Sequence, residues 1–167
     1  VFANLVSGII ILVERPLRIG DVVTIDGVSG VVSRIQIRAT SITDWDRREY
    51  IVPNRELVTG KLLNWTLSDS TNRILISVGI GYSSDPDRAR ATMLQVANQH
   101  SNVLDDPSPV ATFEEFGDSS LNLVLRAYLP DMENRLGTIT ELHTQIHRSF
   151  AEEGIDIPFP QREVRMR

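Results

Sequence analysis

The sequence predicts an α+β protein, and three observations support this class. The first thirteen residues, Val1–Val13, carry no charge and predict an apolar helix. The next fifty residues contain short β-branched runs separated by turn signals. Beyond residue 67, strand patterns alternate with helical ones. At 167 residues the chain is long enough for one large domain or two small ones.

The amino-terminal helix is too short to cross a bilayer. Thirteen residues rise by roughly 20 Å, whereas a bilayer core is about 30 Å thick. Two interpretations remain open: a buried core helix, or the lower end of a membrane span whose remainder lies upstream. A secretory signal is disfavoured because a cationic start and a cleavage site are both missing. Small and polar residues four apart, Ala3 with Ser7 and Asn4 with Gly8, form a stripe suited to close helix packing and favour the span.

A β-rich part follows, because Pro16 stops the helix and pushes Arg15 towards extended geometry. Asp26-Gly27 is a hairpin signal, and Asp44–Arg48 and Pro53-Asn54 are read as turns. About five short strands in fifty residues predict a small barrel, since open edges would otherwise remain. The first predicted strand is 22–25. The chain returns to strand geometry at 30–32 and continues as one long, half-buried strand over 31–43, and further strands are predicted at 50–52 and 61–66.

A polar connector, Ser68–Asn72, is the best domain boundary, and the pattern beyond it is β-α-β-β-α. Such a split βαβ layout places both helices on one face of an antiparallel sheet. Asp85-Pro86 supplies an N-cap and a first-turn proline, and Gly154 ends the last helix. The predicted elements are a strand over 73–82, a helix to about 99, strands over 110–116 and 121–129, and a helix over 138–152.

Charge and composition exclude several classes of function. Residues 14–65 contain eight basic and seven acidic residues, and residues 66–167 contain nine and fifteen, so a weakly basic part adjoins the apolar helix and an acidic part follows. A near-neutral barrel with one turn tryptophan, Trp45, does not favour nucleic acid. The chain has no cysteine, and His143 and His147 lack the glutamate of a zinc-protease motif. We therefore expect no enzyme, metal or cofactor.

Several motifs resemble the small-conductance mechanosensitive channel (MscS) family across essentially the whole chain. They are RPLRIGD at 15–21, DGVSG at 26–30, IVPN at 51–54 and FPQREV at 159–164, with IRAT at 37–40 and FEEFG at 113–117 similar to the larger, multi-helix members. The resemblance implies four parts: the lower pore-lining helix at 1–15, an Sm-like five-stranded β barrel at 16–66, a ferredoxin-like α/β domain at 67–160 and a carboxy-terminal strand at 161–167.

By this resemblance, Asn4 and Gly8 match positions of the family's pore helix. Asn54 matches a barrel asparagine that meets the helix asparagine and helps couple vestibule to pore, so a contact from Asn4 to Asn54 is expected. Arg15 and Arg18 would flank the membrane exit. The family's gate residues and tension-sensing helices are expected upstream of Val1.

The resemblance also implies partners and a location. Seven copies would form a cage closed by a small barrel of tail strands, contributed by Glu163, Val164, Arg165, Met166 and Arg167. The implied function is the cytoplasmic vestibule of a homoheptameric channel in the bacterial inner membrane, which opens under bilayer tension and releases ions and osmolytes in hypo-osmotic shock. An alternative is a ligand-sensing module that acts through the ferredoxin-like domain.

Overall fold

The computed structural model describes residues 2–164, which form two compact units. The first unit is Val1–Ser70 and the second is Thr71–Arg167, so the division falls within the polar connector. Among residues 2–164, no helix combines the length and the apolar character needed to cross a membrane.

The first unit consists of two helices and one antiparallel sheet with the strand order β4-β3-β2-β1-β5. Buried side chains from α1, the sheet and α2 form one core, which includes Ile11, Val23, Val32, Ile42 and Leu57. The elements are α1 (Phe2–Glu14), β1 (Val22–Ile25), β2 (Val28–Ile35), β3 (Ala39–Asp44), β4 (Glu49–Pro53), α2 (Asn54–Thr59) and β5 (Leu63–Asn64).

The predicted long strand over Val31–Thr43 is wrong. The structure divides it into β2 and β3, which pair antiparallel with Val32 opposite Ile42. The register shifts between Val32 and Arg34, so the alternation of faces changes within β2. Val32, which the predicted alternation placed on the exposed face, is 1% exposed. Ile37, which was expected on the buried face, lies between β2 and β3 and is 60% exposed.

A second difference follows Pro53, where a turn was expected and α2 is found instead. Proline has no N–H to leave unpaired at a helix start, and Pro53 takes the N-cap position with φ −56°. The last strand is also shorter than the predicted 61–66, because only Leu63 and Asn64 pair with β1.

The second unit has the predicted β-α-β-β-α order. Its antiparallel sheet has the strand order β6-β8-β7, and every second residue of β8 is buried, as expected when helices cover one face. Leu123, Leu125, Leu142, Ile146 and Phe150 belong to its core. The elements are β6 (Asn72–Ile80), α3 (Pro86–Gln99), β7 (Val110–Phe116), β8 (Leu121–Leu129) and α4 (Arg135–Glu153).

Capping residues set the ends of these helices as predicted. The Asp85 carboxylate accepts a hydrogen bond from the Asp87 amide at 2.9 Å, and Pro86 is the first residue of α3. Gly154 ends α4 in the left-handed region with φ 69°. The start of α4 is three residues earlier than the predicted Thr138, at Arg135.

The carboxy-terminal segment has no strand pairing over residues 161–164 of the single chain. The Gln161 amide donates to the Ser119 hydroxyl at 3.1 Å, and Val164 is 79% exposed. Glu163 and Val164 are thus described, whereas Arg165, Met166 and Arg167 lie outside the described residues. The tail strand shared between subunits stays a prediction.

Candidate functional site

Asn54 holds together a bend of three residues, Gln36, Ile37 and Arg38, which joins β2 to β3 and is called the 36–38 bend below. The Asn54 side-chain Nδ2 donates to the carbonyl oxygens of Gln36 at 2.8 Å and Ile37 at 3.0 Å. Its backbone N–H donates to the Arg38 carbonyl at 3.0 Å. Asn54 is fully buried at the start of α2, and its Oδ1 accepts a hydrogen bond from the Thr40 hydroxyl at 2.9 Å. One residue therefore binds three consecutive carbonyl groups.

Gly8 is the point at which α1 meets this bend. A Cβ atom built on Gly8 would lie 2.1 Å from the Ile37 carbonyl oxygen and 2.9 Å from the Asn54 Nδ2. Real Cβ atoms do not approach backbone atoms this closely, so only glycine permits the observed packing. The contact joins the helix, the bend and the Asn54 amide at one place.

Asn4, one helical turn before Gly8, makes the second attachment of α1. Its Oδ1 accepts a hydrogen bond from the backbone N–H of Arg55 at 3.2 Å. The expected contact from Asn4 to Asn54 is thus made to the neighbouring residue's backbone, because both ends of the Asn54 amide are already bonded to Thr40 and the bend. Together, Asn4 and Gly8 place this face of α1 against α2 and the bend.

The two faces of α1 differ sharply. Ser7, Gly8 and Ile11 are buried on the packed side. The other side leaves large apolar side chains exposed in the single chain: Phe2, Leu5, Val6, Ile9, Leu12 and Val13. An apolar face of this size needs a cover of lipid or protein.

Arg15 and Arg18 lie where the chain leaves α1, and both are exposed. The expectation that Pro16 pushes Arg15 towards extended geometry is wrong, because Arg15 has a left-handed backbone with φ 51° and its N–H donates to the Ile11 carbonyl at 3.0 Å. The Arg18 amide donates to the buried Asp21 carboxylate at 2.8 Å. Asp21 also accepts from the Asn64 side chain at 2.8 Å, which ties this exit loop to β5. Both guanidinium groups therefore project from a fixed loop.

The turn between β3 and β4 is held by charge. The Asp44 carboxylate accepts hydrogen bonds from the Arg48 amide at 2.8 Å and the Asp46 amide at 3.0 Å, and pairs with the Arg48 guanidinium at 2.8 Å. Burial opposes ionisation of Asp44, but these bonds and the Arg48 charge outweigh it and lower the pKa of Asp44. The far end of β3, the strand that carries Thr40, is thereby fixed.

No metal-binding cluster of three or more His, Asp or Glu side chains is found among residues 2–164. The two histidines of α4 are both exposed, and the Nδ1 of His143 bonds to the Ile139 carbonyl at 2.8 Å. A pair of imidazoles alone does not make a structural or catalytic zinc site, which needs three or four protein ligands.

The structure brings Asn4, Gly8 and Asn54 to one place, whereas Arg15 and Arg18 mark the exit of α1. Sequence reasoning missed Thr40 and the amide of Arg55, which complete the site. Thr40 stood within the IRAT segment, but a strand threonine gives no signal that its hydroxyl bonds to a residue fourteen positions away.

Comparison with known proteins places these features in a family. The family model for the mechanosensitive ion channel β-domain matches residues 1–67, and that for the MscS carboxy-terminal region matches residues 74–157. The chain is 49% identical over 98% of its length to an MscS family protein of Haemophilus influenzae, and 46% identical over 99% to the mechanosensitive channel MscK of Escherichia coli. It spans only 15% of the length of each of these relatives.

Among solved structures, the closed-state crystal structure of Helicobacter pylori MscS superposes with a TM-score of 0.90 at 25% identity. That match covers 99% of this chain and 65% of the other. Two family models that together cover most of the chain, and a structural match over 99% of it, agree. The chain belongs to the MscS family of mechanosensitive ion channels.

Proposed function

We propose that this chain forms the vestibule and the lower pore helix of a homoheptameric mechanosensitive channel that releases ions and osmolytes when bilayer tension rises. The contact of Gly8 with the Ile37 carbonyl and the Asn54 amide carries this proposal. It attaches the apolar helix α1 at one short segment to the rest of the first unit, which is called the β unit below. A movement of the helix is therefore transmitted to the β unit.

Tension acts in this scheme as a shift between populations. Stretching the membrane stabilises the conformation with the larger area, and the β unit contributes through any difference in α1 docking between the states. The proposal needs only that the docked contact has different free energies in the closed and open channel. Asn4 and Asn54, which hold α1 to α2 and the bend, would then set part of that difference.

The finer architecture belongs to the same proposal. The five-stranded sheet of the first unit supports an Sm-like barrel at 16–66, and the order β6-β8-β7 supports a ferredoxin-like domain at 67–160. The tail at 161–167 would pair with its copies in seven subunits. Native mass spectrometry of the full-length protein tests the assembly, because a mass sevenfold that of one subunit is expected and a monomer would refute it.

The charges suit a cytoplasmic position beneath the inner membrane. Arg15 and Arg18 project from the exit of α1 and would meet anionic lipid headgroups. The acidic second unit would line the cage and favour entry of cations. Neither the structure nor the comparisons support the alternative ligand-sensing module.

The test is Asn54→Leu in the full-length protein, recorded in membrane patches under pressure steps. Leucine keeps the backbone N–H that binds the Arg38 carbonyl but removes the side-chain hydrogen bonds to the Gln36 and Ile37 carbonyls, so we expect altered inactivation or a changed rate of recovery. Asn98→Leu, the same exchange at an exposed position of α3, is the control and should behave like the wild type. Wild-type kinetics in Asn54→Leu would contradict the proposed coupling, and a wild-type protein without tension-activated current would contradict the channel itself.

A further inference from the structure

Thr40 is buried next to the contact between α1 and the 36–38 bend, but its hydroxyl bonds to Asn54 and not to α1. Its side chain is fully buried on β3, and its hydroxyl donates to the Asn54 Oδ1 at 2.9 Å. Asn54 is also fully buried, so no solvent is available to replace this donor. A buried amide oxygen without a donor is costly, and Thr40 supplies the hydrogen bond that prevents this.

The two ends of the Asn54 amide have different needs. Its Nδ2 faces the carbonyls of Gln36 and Ile37, which accept hydrogen bonds and cannot donate. These carbonyls determine which end of the amide faces the bend, and the Thr40 hydroxyl satisfies the other end in that orientation. Both N–H donors of the amide and one acceptor direction of its oxygen are then used.

The orientation matters because the Nδ2 end also faces Gly8. A Cβ on Gly8 would lie 2.9 Å from that nitrogen, so the helix rests against the same atom that holds the bend. If the Asn54 side chain left this position, the Gln36 and Ile37 carbonyls would lose their donor and the surface on which Gly8 packs would change.

We propose that Thr40 is a positioning residue for the attachment of α1: its hydroxyl locks the Asn54 amide onto the 36–38 bend and so sets how firmly the helix stays docked. The effect on docking follows from the contacts alone, while its consequence for gating rests on the proposed channel function. Thr40 acts through Asn54 and makes no contact with permeating ions in this scheme.

The key variant is Thr40→Val in the full-length channel, because valine keeps the branched shape and removes only the hydroxyl. Thr40→Ser restores a hydroxyl and should recover wild-type behaviour. Thr43→Val, the same exchange at a partly exposed position of β3, is the matched control. Thr40→Ala replaces Thr40→Val if the latter fails to assemble.

Two measurements are made on each protein in a bilayer. Hydrogen exchange at the Arg55 amide reports docking directly, because this amide donates to Asn4 of α1. Recovery of current after sustained tension reports gating. For Thr40→Val we expect exchange and recovery rates to change at least about fivefold, the effect of one lost buried hydrogen bond. Thr40→Ser and Thr43→Val should stay within about twofold of the wild type.

A double-variant cycle separates positioning from simple packing. If Thr40 acts through Asn54, Thr40→Val should add less than about twofold when introduced into Asn54→Ala. An undiminished effect in that background would overturn the inference, as would equal effects of the valine and serine variants. Altered gating in Asn54→Leu with wild-type behaviour in Thr40→Val would overturn it and leave the proposed function intact. If the wild type carries no tension-activated current, the proposed function fails while the Arg55 exchange still tests Thr40.

Discussion

Gly8→Ala adds one methyl group to α1 at its closest approach to the β unit. The new carbon would stand 2.1 Å from the Ile37 carbonyl oxygen, more than about 1 Å short of a comfortable separation of roughly 3.5 Å. That oxygen cannot move freely, because it accepts the Asn54 side-chain hydrogen bond at 3.0 Å. The helix, rather than the bend, is therefore expected to move.

The size of the effect follows from comparing the docked and undocked states. Overpacking of this kind costs about 1–3 kcal/mol, and it is felt only when α1 lies on the bend. Alanine also favours helix over glycine by about 1 kcal/mol, but this gain cancels in the docking equilibrium when α1 stays helical on undocking. Gly8→Ala should thus weaken docking by roughly 5- to 150-fold.

The assay is hydrogen exchange at the Arg55 amide in the full-length channel, followed by patch recording of the same preparation. We expect faster Arg55 exchange and kinetics altered in the same direction as for Asn54→Leu. Val6→Ala, on the exposed face of the same helix, is the control and should leave Arg55 exchange unchanged. If Gly8→Ala left Arg55 exchange within about twofold of the wild type, the reasoning from close packing would be refuted.

Three further predictions concern other parts of the chain. Asn4→Ala removes the acceptor for the Arg55 amide and should speed its exchange a few-fold, in line with one exposed hydrogen bond worth about 0.5–1.5 kcal/mol; unchanged exchange would contradict the contact. The lowered pKa of Asp44 means that its stabilisation of the turn is complete above the ordinary value of 3.8 and is lost as pH falls through the lower folded value. Asp44→Asn should abolish this acid dependence, measured as the protection of the Arg48 amide relative to the unfolded chain at each pH between about 2 and 5, and a persisting dependence of the protection would assign it to another group. Phe150→Ala, at a fully buried core position, should lower the free energy of unfolding of the second unit by about 3–5 kcal/mol in urea titrations, and a loss under about 1 kcal/mol would contradict its core role.

The second unit was predictable because its signals are local. Asp85 and Pro86 lie next to each other at the start of α3, and Gly154 stands at the end of α4. Every second residue of Leu121–Leu129, starting at Leu121, is apolar and buried, so the buried face could be read from a single strand. Each of these features depends on neighbours in sequence and needs no knowledge of distant contacts.

The α1 site was only partly predictable, for a physical reason. Asn4 and Gly8 already stood out in the stripe of small and polar residues four apart, which indicates close packing. Asn54 was identified only through a resemblance, since an asparagine in a Pro-Asn pair otherwise indicates a turn. Thr40 and the Arg55 amide were missed because their roles depend on hydrogen bonds to residues 14 and 51 positions away. Local sequence patterns carry no information about such bonds.

The largest error in predicting the fold coincides with the proposed functional contact. The alternation over Val31–Thr43 predicted one continuous strand, whereas the chain breaks at the 36–38 bend. The Gln36 and Ile37 carbonyls bond to the Asn54 side chain and not to a neighbouring strand, while the Arg38 carbonyl accepts the Asn54 backbone N–H. The bend therefore replaces regular strand pairing. It is held by the Asn54 side chain, on which α1 also rests, and by two backbone bonds, from the Asn54 N–H to Arg38 and from the Gln36 N–H to Ala39. A local departure from regular structure that depends on a buried side-chain amide in contact with a helix is the kind of element whose free energy a moving helix can change.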